Sequence, residues 1–302
     1  MRYNFSKTKQ LAYLLNYSLK SRIATKYRKP LLCGFKLTSK CNLKCRHCPF
    51  WRQESPPSLD YKRARTILDK LHKDGIRILI FEGGEPLIWE KIASIVEYAK
   101  SLFFEVGITT NGTIDMGKAN PDIYFVSIDG LKEEHEKIRG KNFDMIIRNI
   151  EANKQNKKII VNTCINSINY ASIPGLVKFL EGKVYGVTIQ FFYPFPGVEG
   201  LGLTLAQREK ILEKLISLKK SGHSLLNSYN CLQKMKDNSW ECHDFLVASV
   251  DPDGTINYGC YLKNRIEDIA CKDCGYAAHC EISLAYSYGL NAISTAKNIF
   301  WG

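Results

Sequence analysis

The chain has 302 residues, 45% of them hydrophobic, with 43 Lys and Arg against 30 Asp and Glu for a formal net charge of +13. This composition excludes a disordered or fibrous chain and supplies one large core plus a smaller unit. No run of eighteen apolar residues and no apolar leader with an A-x-A site occurs, so the expectation is a cytoplasmic protein whose eleven cysteines stay reduced, with no DNA partner.

Residues 1–30 carry eight Lys and Arg and no Asp or Glu. Within them Leu11, Leu14, Leu15, Leu19 and Ile23 recur at helical spacing, framed by Lys7, Lys9, Lys20 and Arg22. The spacing predicts a basic amphipathic helix. The expectation is that its stripe packs on the main domain, with peripheral contact at the inner face of a membrane as the alternative.

From residue 31 onward, apolar runs alternate with helical patterns. Strands are predicted at 31–38, 76–81, 105–110, 122–128, 158–165 and 184–191, and helices at 59–74, 88–102, 131–156, 171–182 and 204–221. Near-continuous apolar strands joined by helices mean βα units and a parallel sheet. Six units fit either an open doubly wound sheet or a barrel. The fold expected is an α/β partial (β/α)6 TIM-like barrel over residues 31–222. In either, chemistry belongs in the loops after the strands. The unusual segments obey that rule: three cysteines follow the first strand, "EGGEPL" (82–87) the second and "TTNGT" (109–113) the third, while "SIDG" (127–130) closes the fourth. Beyond residue 222 the pattern changes to a hairpin over 245–262, then "CKDCGYAAHC" (271–280) and a short helix-like tail. Residues 223–302 read as a small Cys-rich extension, too small for a strong core unless metal holds it.

"KLTSKCNLKCRHCPFW" (36–51) places Cys41, Cys45 and Cys48 within eight residues. A disulfide staple would call for a fourth cysteine, and a zinc site for a fourth ligand, such as His47. A cubane 4Fe-4S cluster held by three thiolates instead leaves one iron open for a substrate or cofactor, as catalytic zinc keeps an open position. C-x3-C-x2-C with GGEP at the next strand end resembles the signature of radical SAM enzymes.

That resemblance implies that S-adenosylmethionine fills the open iron and is cleaved to methionine and a 5'-deoxyadenosyl radical. It also implies that Gly83, Gly84 and Glu85 receive the methionine amino group, mainly through backbone, since glycine permits close approach. Ser127 and Arg139 should address the carboxylate and ribose, and His47 the adenine. Asn111 and Asp129 either line the rim or serve the Asn-Gly and Asp-Gly turns.

Cys242, Cys260, Cys271, Cys274 and Cys280 resemble the twitch and SPASM extensions, which carry auxiliary 4Fe-4S clusters. Leu284 stands where a full SPASM domain continues with cysteine, so one second cluster is expected. Its ligands should be Cys260, Cys271, Cys274 and either Cys242 or Cys280, with zinc as the alternative. Tyr261 follows Cys260, where the sulfatase-maturing branch has a proton-accepting Asp. Cys33 and Cys164 fall in buried strands and read as structural.

The layout of the basic helix and the short Cys-rich tail is partly similar to the hopanoid adenosyltransferase group, which implies a lipid substrate. The SIDG…R stretch resembles the peptide- and small-molecule-modifying branch instead. Transfer RNA modification ranks last, supported by charge alone. A low-potential donor such as ferredoxin or flavodoxin is implied. A non-catalytic iron–sulfur electron carrier is the reading from another class, and it would have no use for the methionine-binding motif.

Overall fold

The computed structural model describes residues 6–53, 55–263, 265–266 and 269–301. Residues 1–5 of the basic segment lie outside the described residues. Helix α1 (Lys7–Ile23) is followed by β1 (Leu32–Thr38), α2 (Tyr61–Asp74), β2 (Ile78–Gly83), α3 (Ile92–Lys100), β3 (Glu105–Thr110) and β4 (Ile123–Ser127). Then come α4 (Lys132–Arg139), α5 (Phe143–Asn153), β5 (Ile159–Ile165), α6 (Ile173–Phe179), β6 (Gly186–Phe191) and α7 (Leu205–Lys220). The extension adds α8 (Tyr229–Lys234), β7 (Val247–Val250), β8 (Ile256–Tyr258), α9 (Ala277–Tyr286) and α10 (Leu290–Trp301).

The six predicted strands are all present and pair in parallel in the order β6-β5-β4-β3-β2-β1. A doubly wound sheet would reverse direction at a switch point. Here each strand adds to the same side of the last, so right-handed crossovers keep the helices on one face and the sheet curls as a partial barrel. The predicted hairpin forms as β7 and β8. β7 pairs in parallel with β1 and β8 runs antiparallel to β7, so the hairpin continues the barrel sheet. β6 and β8 are the edges, and α9 packs against β6.

Alternation along the strands sorts the side chains. Cys33, Phe35, Leu37, Leu79 and Phe81 point outward into the core under the helices, fully buried. Leu32, Ile78, Ile80 and Phe125 point inward and are only half-buried. They line a lumen of about 500 Å³.

Two helical expectations are corrected. The pattern over 131–156 is two helices, broken at Gly140, whose φ of +89° suits glycine. In α1 the leucine stripe faces away from the domain: Leu11, Leu15, Leu19 and Ile23 are 57–83% exposed, and Leu14 is half-buried. The packed face carries Gln10, Tyr17 and Ser21, because α1 crosses the floor of the barrel, where loop carbonyls precede the strands. Tyr17 Oη donates to the Lys29 carbonyl at 2.6 Å and Tyr13 Oη to that of Gly75 at 3.5 Å. Among the described residues no helix is long and apolar enough to cross a membrane.

Candidate active site

The three cysteines follow β1 at the C-terminal rim, on a loop held from both sides. The amides of Gly84 and Glu85, just past β2, donate to the carbonyls of Thr38 and Lys40 at 2.7 and 2.9 Å. A Cβ at Gly84 would stand 2.0 Å from the Lys40 carbonyl oxygen, and one at Gly83 2.3 Å from that of Thr38. The two glycines are therefore required by the close approach of the cysteine loop itself. Farther along, the Arg46 amide donates to Ile138 at 2.8 Å and the Trp51 indole to the Cys45 carbonyl at 3.0 Å.

Glu85 is fully buried. Its carboxylate accepts from the Leu87 amide at 3.0 Å, the Thr110 hydroxyl at 2.7 Å and the Asn111 amide at 2.7 Å, tying β2 to β3. Burial raises its pKa, against those bonds. Asn111 passes the tie onward: its Nδ2 donates to Asn42 at 2.8 Å and lies 3.9 Å from Cys41 Sγ. The Asn-Gly turn and the cysteine loop are thus one structure.

Asp129 is the buried centre of the next rim loop. Its carboxylate accepts from Arg139 Nε at 2.5 Å and from the Cys164 amide at 2.8 Å, with His47 Nε2 at 3.8 Å. Burial opposes its ionisation, but Arg139 and then His47 hold its carboxyl below the ordinary range. Arg139 in turn places Nη1 3.9 Å from Cys45 Sγ. Burial lowers the His47 pKa to about 4, against Asp129, so its imidazole is neutral. Its Nδ1 is buried without a hydrogen-bond partner. Such an orphan is costly unless a ligand fills it. Ser127, Arg139, His47 and Cys48 all line the lumen.

The sequence reading missed the central role of Asp129, because an Asp before Gly is a common turn residue. It also missed a second rim cluster. Lys36 is buried, with Glu82 at 3.6 Å and Asp251 at 3.4 Å. Asp251 also pairs with Arg265 at 2.6 Å. Tyr261 lies between the two cations, 4.4 Å from Lys36 and 4.2 Å from Arg265. Inward Lys36 in an otherwise apolar strand was the available signal.

Cys41, Cys45 and Cys48 are all pushed up by burial, and each also by a neighbouring rim thiol. A cation would reverse that balance by taking thiolates. In the extension, burial and then Cys260, Cys274, Asp244 and Cys271 push the Cys242 thiol up to about 12. Cys260, Cys271 and Cys274 thus lie within electrostatic reach of Cys242. Cys280 is fully buried in the core beside Cys231. Among the described residues no set of three or more His, Cys, Asp or Glu is drawn together around a single ion. A cubane takes its thiolates at separate irons.

The family model described as "Radical SAM superfamily" matches residues 35–180. The chain is 28% identical over 193 residues to "Fe-coproporphyrin III synthase" of Methanosarcina barkeri, covering 60% of this chain and 46% of that protein. It is 29% identical over 155 residues to "Antilisterial bacteriocin subtilosin biosynthesis protein AlbA" of Bacillus subtilis, covering 46% of this chain and 34% of that one. It thus spans about half the length, or less, of these curated relatives. Its fold resembles that of Streptococcus suis SuiB, solved bound to S-adenosylmethionine, with a TM-score of 0.69 at 16% identity, over 98% of this chain and 73% of SuiB. Members of the superfamily bind a 4Fe-4S cluster and S-adenosylmethionine. Partial barrel, rim cysteines and family match converge: residues 35–180, just under half of the chain, match the radical SAM superfamily, and a C-terminal extension follows them.

Proposed function

We propose that this enzyme reductively cleaves S-adenosylmethionine at Cys41, Cys45 and Cys48 and modifies a C–H or C=C bond of a lipid substrate. The observation that carries the reading is the rim itself: three adjoining thiols beside an unpartnered His47 nitrogen, above an open apolar lumen. When bound and reduced, the cluster supplies the electron that splits the sulfonium into methionine and the 5'-deoxyadenosyl radical.

The chain's own residues bind and orient. An ammonium group only donates, so it would be received by carbonyls of the Gly83–Gly84 turn, while the amides of Gly84 and Glu85 hold the cysteine loop. Arg139, held by Asp129, offers its remaining N–H groups to a carboxylate. Ser127 addresses the ribose, Asn111 steadies the rim, and His47 Nδ1 accepts or donates toward the adenine according to its tautomer. Phe192 and Phe195 at the mouth exclude water.

Cys242, Cys260, Cys271 and Cys274 are assigned to a second 4Fe-4S cluster, with Cys280 left in the core. Residues 31–222 act as the catalytic barrel, 223–302 as the auxiliary extension and 1–30 as a peripheral contact with the inner face of a membrane. The outward leucines and the absence of acidic residues in that segment support the contact. The net charge of +13 suits an acidic low-potential donor such as a flavodoxin or ferredoxin. A peptide substrate is the second reading, favoured by the similarity to the subtilosin biosynthesis protein.

The test is 5'-deoxyadenosine release from anaerobically reconstituted protein given S-adenosylmethionine and dithionite, with and without total lipid extract. A rise with lipid, together with an adenosyl- or hydrogen-modified lipid, is expected. Stimulation by peptides alone would favour the second reading, and no cleavage with intact clusters would overturn both.

A further inference from the structure

The lumen is deeper than the rim chemistry requires. Its wall includes Leu32, the first residue of β1, and Ile78, the first of β2, at the floor end of the barrel. Leu32 to Lys36 spans about 13 Å at the rise of a strand. Leu32, Ile78, Ile80 and Phe125 are half-buried apolar side chains facing a cavity, and only an apolar occupant would complete their burial. Two of the polar lining side chains are already committed. Asn227 bonds both ways to the Ile189 backbone at 2.8 and 3.0 Å, and Thr188 Oγ1 bonds to the Val161 carbonyl at 3.3 Å. A peptide would bring a donor and an acceptor per residue into this wall, whereas a hydrocarbon brings none.

Trp301 of α10 lines the lumen at its floor end, with Ile299 and Phe300. α1 latches the tryptophan from outside: Trp301 Nε1 donates to Gln10 Oε1, and Lys7 Nζ donates to the Trp301 carbonyl at 2.8 Å. On the outer side of the same helix stand the exposed leucines. Tyr288, just before α10, and Leu290 and Ile293, at its start, are also exposed, and Arg22 of α1 stacks on Tyr288 at 4.0 Å. The C-terminal end of α1 thus lies beside the chain leading into α10. The cations of α1 border its leucines, with no acidic residue in the segment, which suits an anionic lipid surface.

We infer that the lower lumen holds the hydrocarbon chain of a membrane lipid, which enters through the floor as α1 releases Trp301. The inference rests on the lipid reading above and adds its tail chamber and route. The chain lies with its reactive end under the cysteine rim and its far end at Trp301. α1 docks on the bilayer through Leu11, Leu15 and Leu19, and the Gln10–Trp301 contact is the latch.

The test uses the full-length, cluster-reconstituted protein and cis-parinaric acid, whose fluorescence rises in an apolar pocket. The native protein is expected to bind it saturably. Ile78→Trp and, from the neighbouring strand, Leu32→Trp are expected to weaken binding about tenfold each by filling the chamber; thermal melting verifies that at least one is folded. Gln10→Ala is expected to speed association about threefold at unchanged affinity. Leu15→Glu with Leu19→Glu is expected to slow transfer of the probe from anionic phosphatidylglycerol vesicles about tenfold while leaving uptake of free probe unchanged. No saturable binding, undiminished binding by the folded tryptophan variants, or equal transfer by the double variant would overturn the inference. A self-association that the double variant abolishes would assign the leucine face to a second copy instead. Deoxyadenosine release by the native protein without lipid reports on the rim separately. Absence of release both with and without lipid extract, alongside intact probe binding, would sink the radical reading and leave the chamber standing.

Discussion

Replacing Asp129 by Asn tests the organisation of the rim most directly. The carboxylate is fully buried and is held by Arg139 Nε, the Cys164 amide and, at 3.8 Å, His47. Removing its charge leaves the buried Arg139 guanidinium uncompensated, a loss of about 3–5 kcal/mol for a broken buried pair. At about 2.1 cal/mol/K per residue, unfolding a chain of this length carries an entropy of about 0.6 kcal/mol/K, so the midpoint should fall by about 5–8 °C. The assay is differential scanning calorimetry or fluorescence melting on the native chain, Asp129→Asn, Arg139→Gln and the double variant. The double variant should lose less than the sum of the singles, since each single strands its partner. The sign with pH follows from the depressed carboxyl. Its stabilisation is present above the unfolded value of about 3.9 and is lost as pH falls through the lower folded value, so the native chain should approach Asp129→Asn in stability under strong acid. A drop below about 2 °C at pH 7, or strict additivity of the singles, would refute the assignment of Asp129 as the anchor of Arg139.

Cys45→Ala should lose the rim cluster and all deoxyadenosine formation while iron analysis and electron paramagnetic resonance still show the second cluster. Cys271→Ala should do the reverse to the cluster content, whereas Cys280→Ala should keep both clusters and lose about 1–2 kcal/mol as a core truncation; loss of the second cluster in Cys280→Ala would displace Cys242 as its ligand. Gly84→Ala should fail to assemble the rim cluster, because its Cβ would meet the Lys40 carbonyl at 2.0 Å; iron content equal to that of the native protein would refute this packing. Glu105 is pushed up to about 8 by burial first and by Asp122 next. A raised carboxyl opposes folding increasingly as pH rises from its unfolded value to its folded one. Glu105→Gln should therefore gain more in melting temperature at pH 8.5 than at pH 5, and an equal gain at both would contradict the shift.

Much of the barrel was legible because parallel strands buried beneath helices must be written as apolar runs, and the predicted 105–110 coincides with β3. The rim cysteines were legible for a different reason: three thiols on one loop have few uses. The extension was less readable. α8, α9 and α10 lack a long apolar period, and pairing of β7 with β1 depends on contacts more than two hundred residues apart. Preferring Cys242 to Cys280 likewise needs the tertiary fold. Cys280 is the nearer of the two to Cys274 in sequence, yet α9 turns its thiol into the core. Asp129 shows the limit most clearly. Its sequence context describes a turn correctly, and only the fold shows that the same turn delivers a carboxylate to Arg139, Cys164 and His47.

The N-terminal helix carries the argument one step further. Periodicity identified the apolar stripe, but periodicity cannot say which face a domain will cover. Burying a leucine contributes about 1.5–3 kcal/mol, so a helix free to turn on its axis would be expected to bury that stripe. α1 instead spends its inner face on Tyr17, Gln10 and Ser21, each bonded to a floor element or to the extension. Those bonds are individually worth about 0.5–1.5 kcal/mol, less than the apolar burial they displace. On the membrane contact proposed above, the exposed stripe would gain that burial from an apolar phase outside the chain. The cations of the same segment, unmatched by any acidic residue there, suit an anionic surface on that phase. On that proposal the orientation of α1, its charge and the floor latch on Trp301 belong to one device, in which the contact that docks the protein also bears on access to the chamber above.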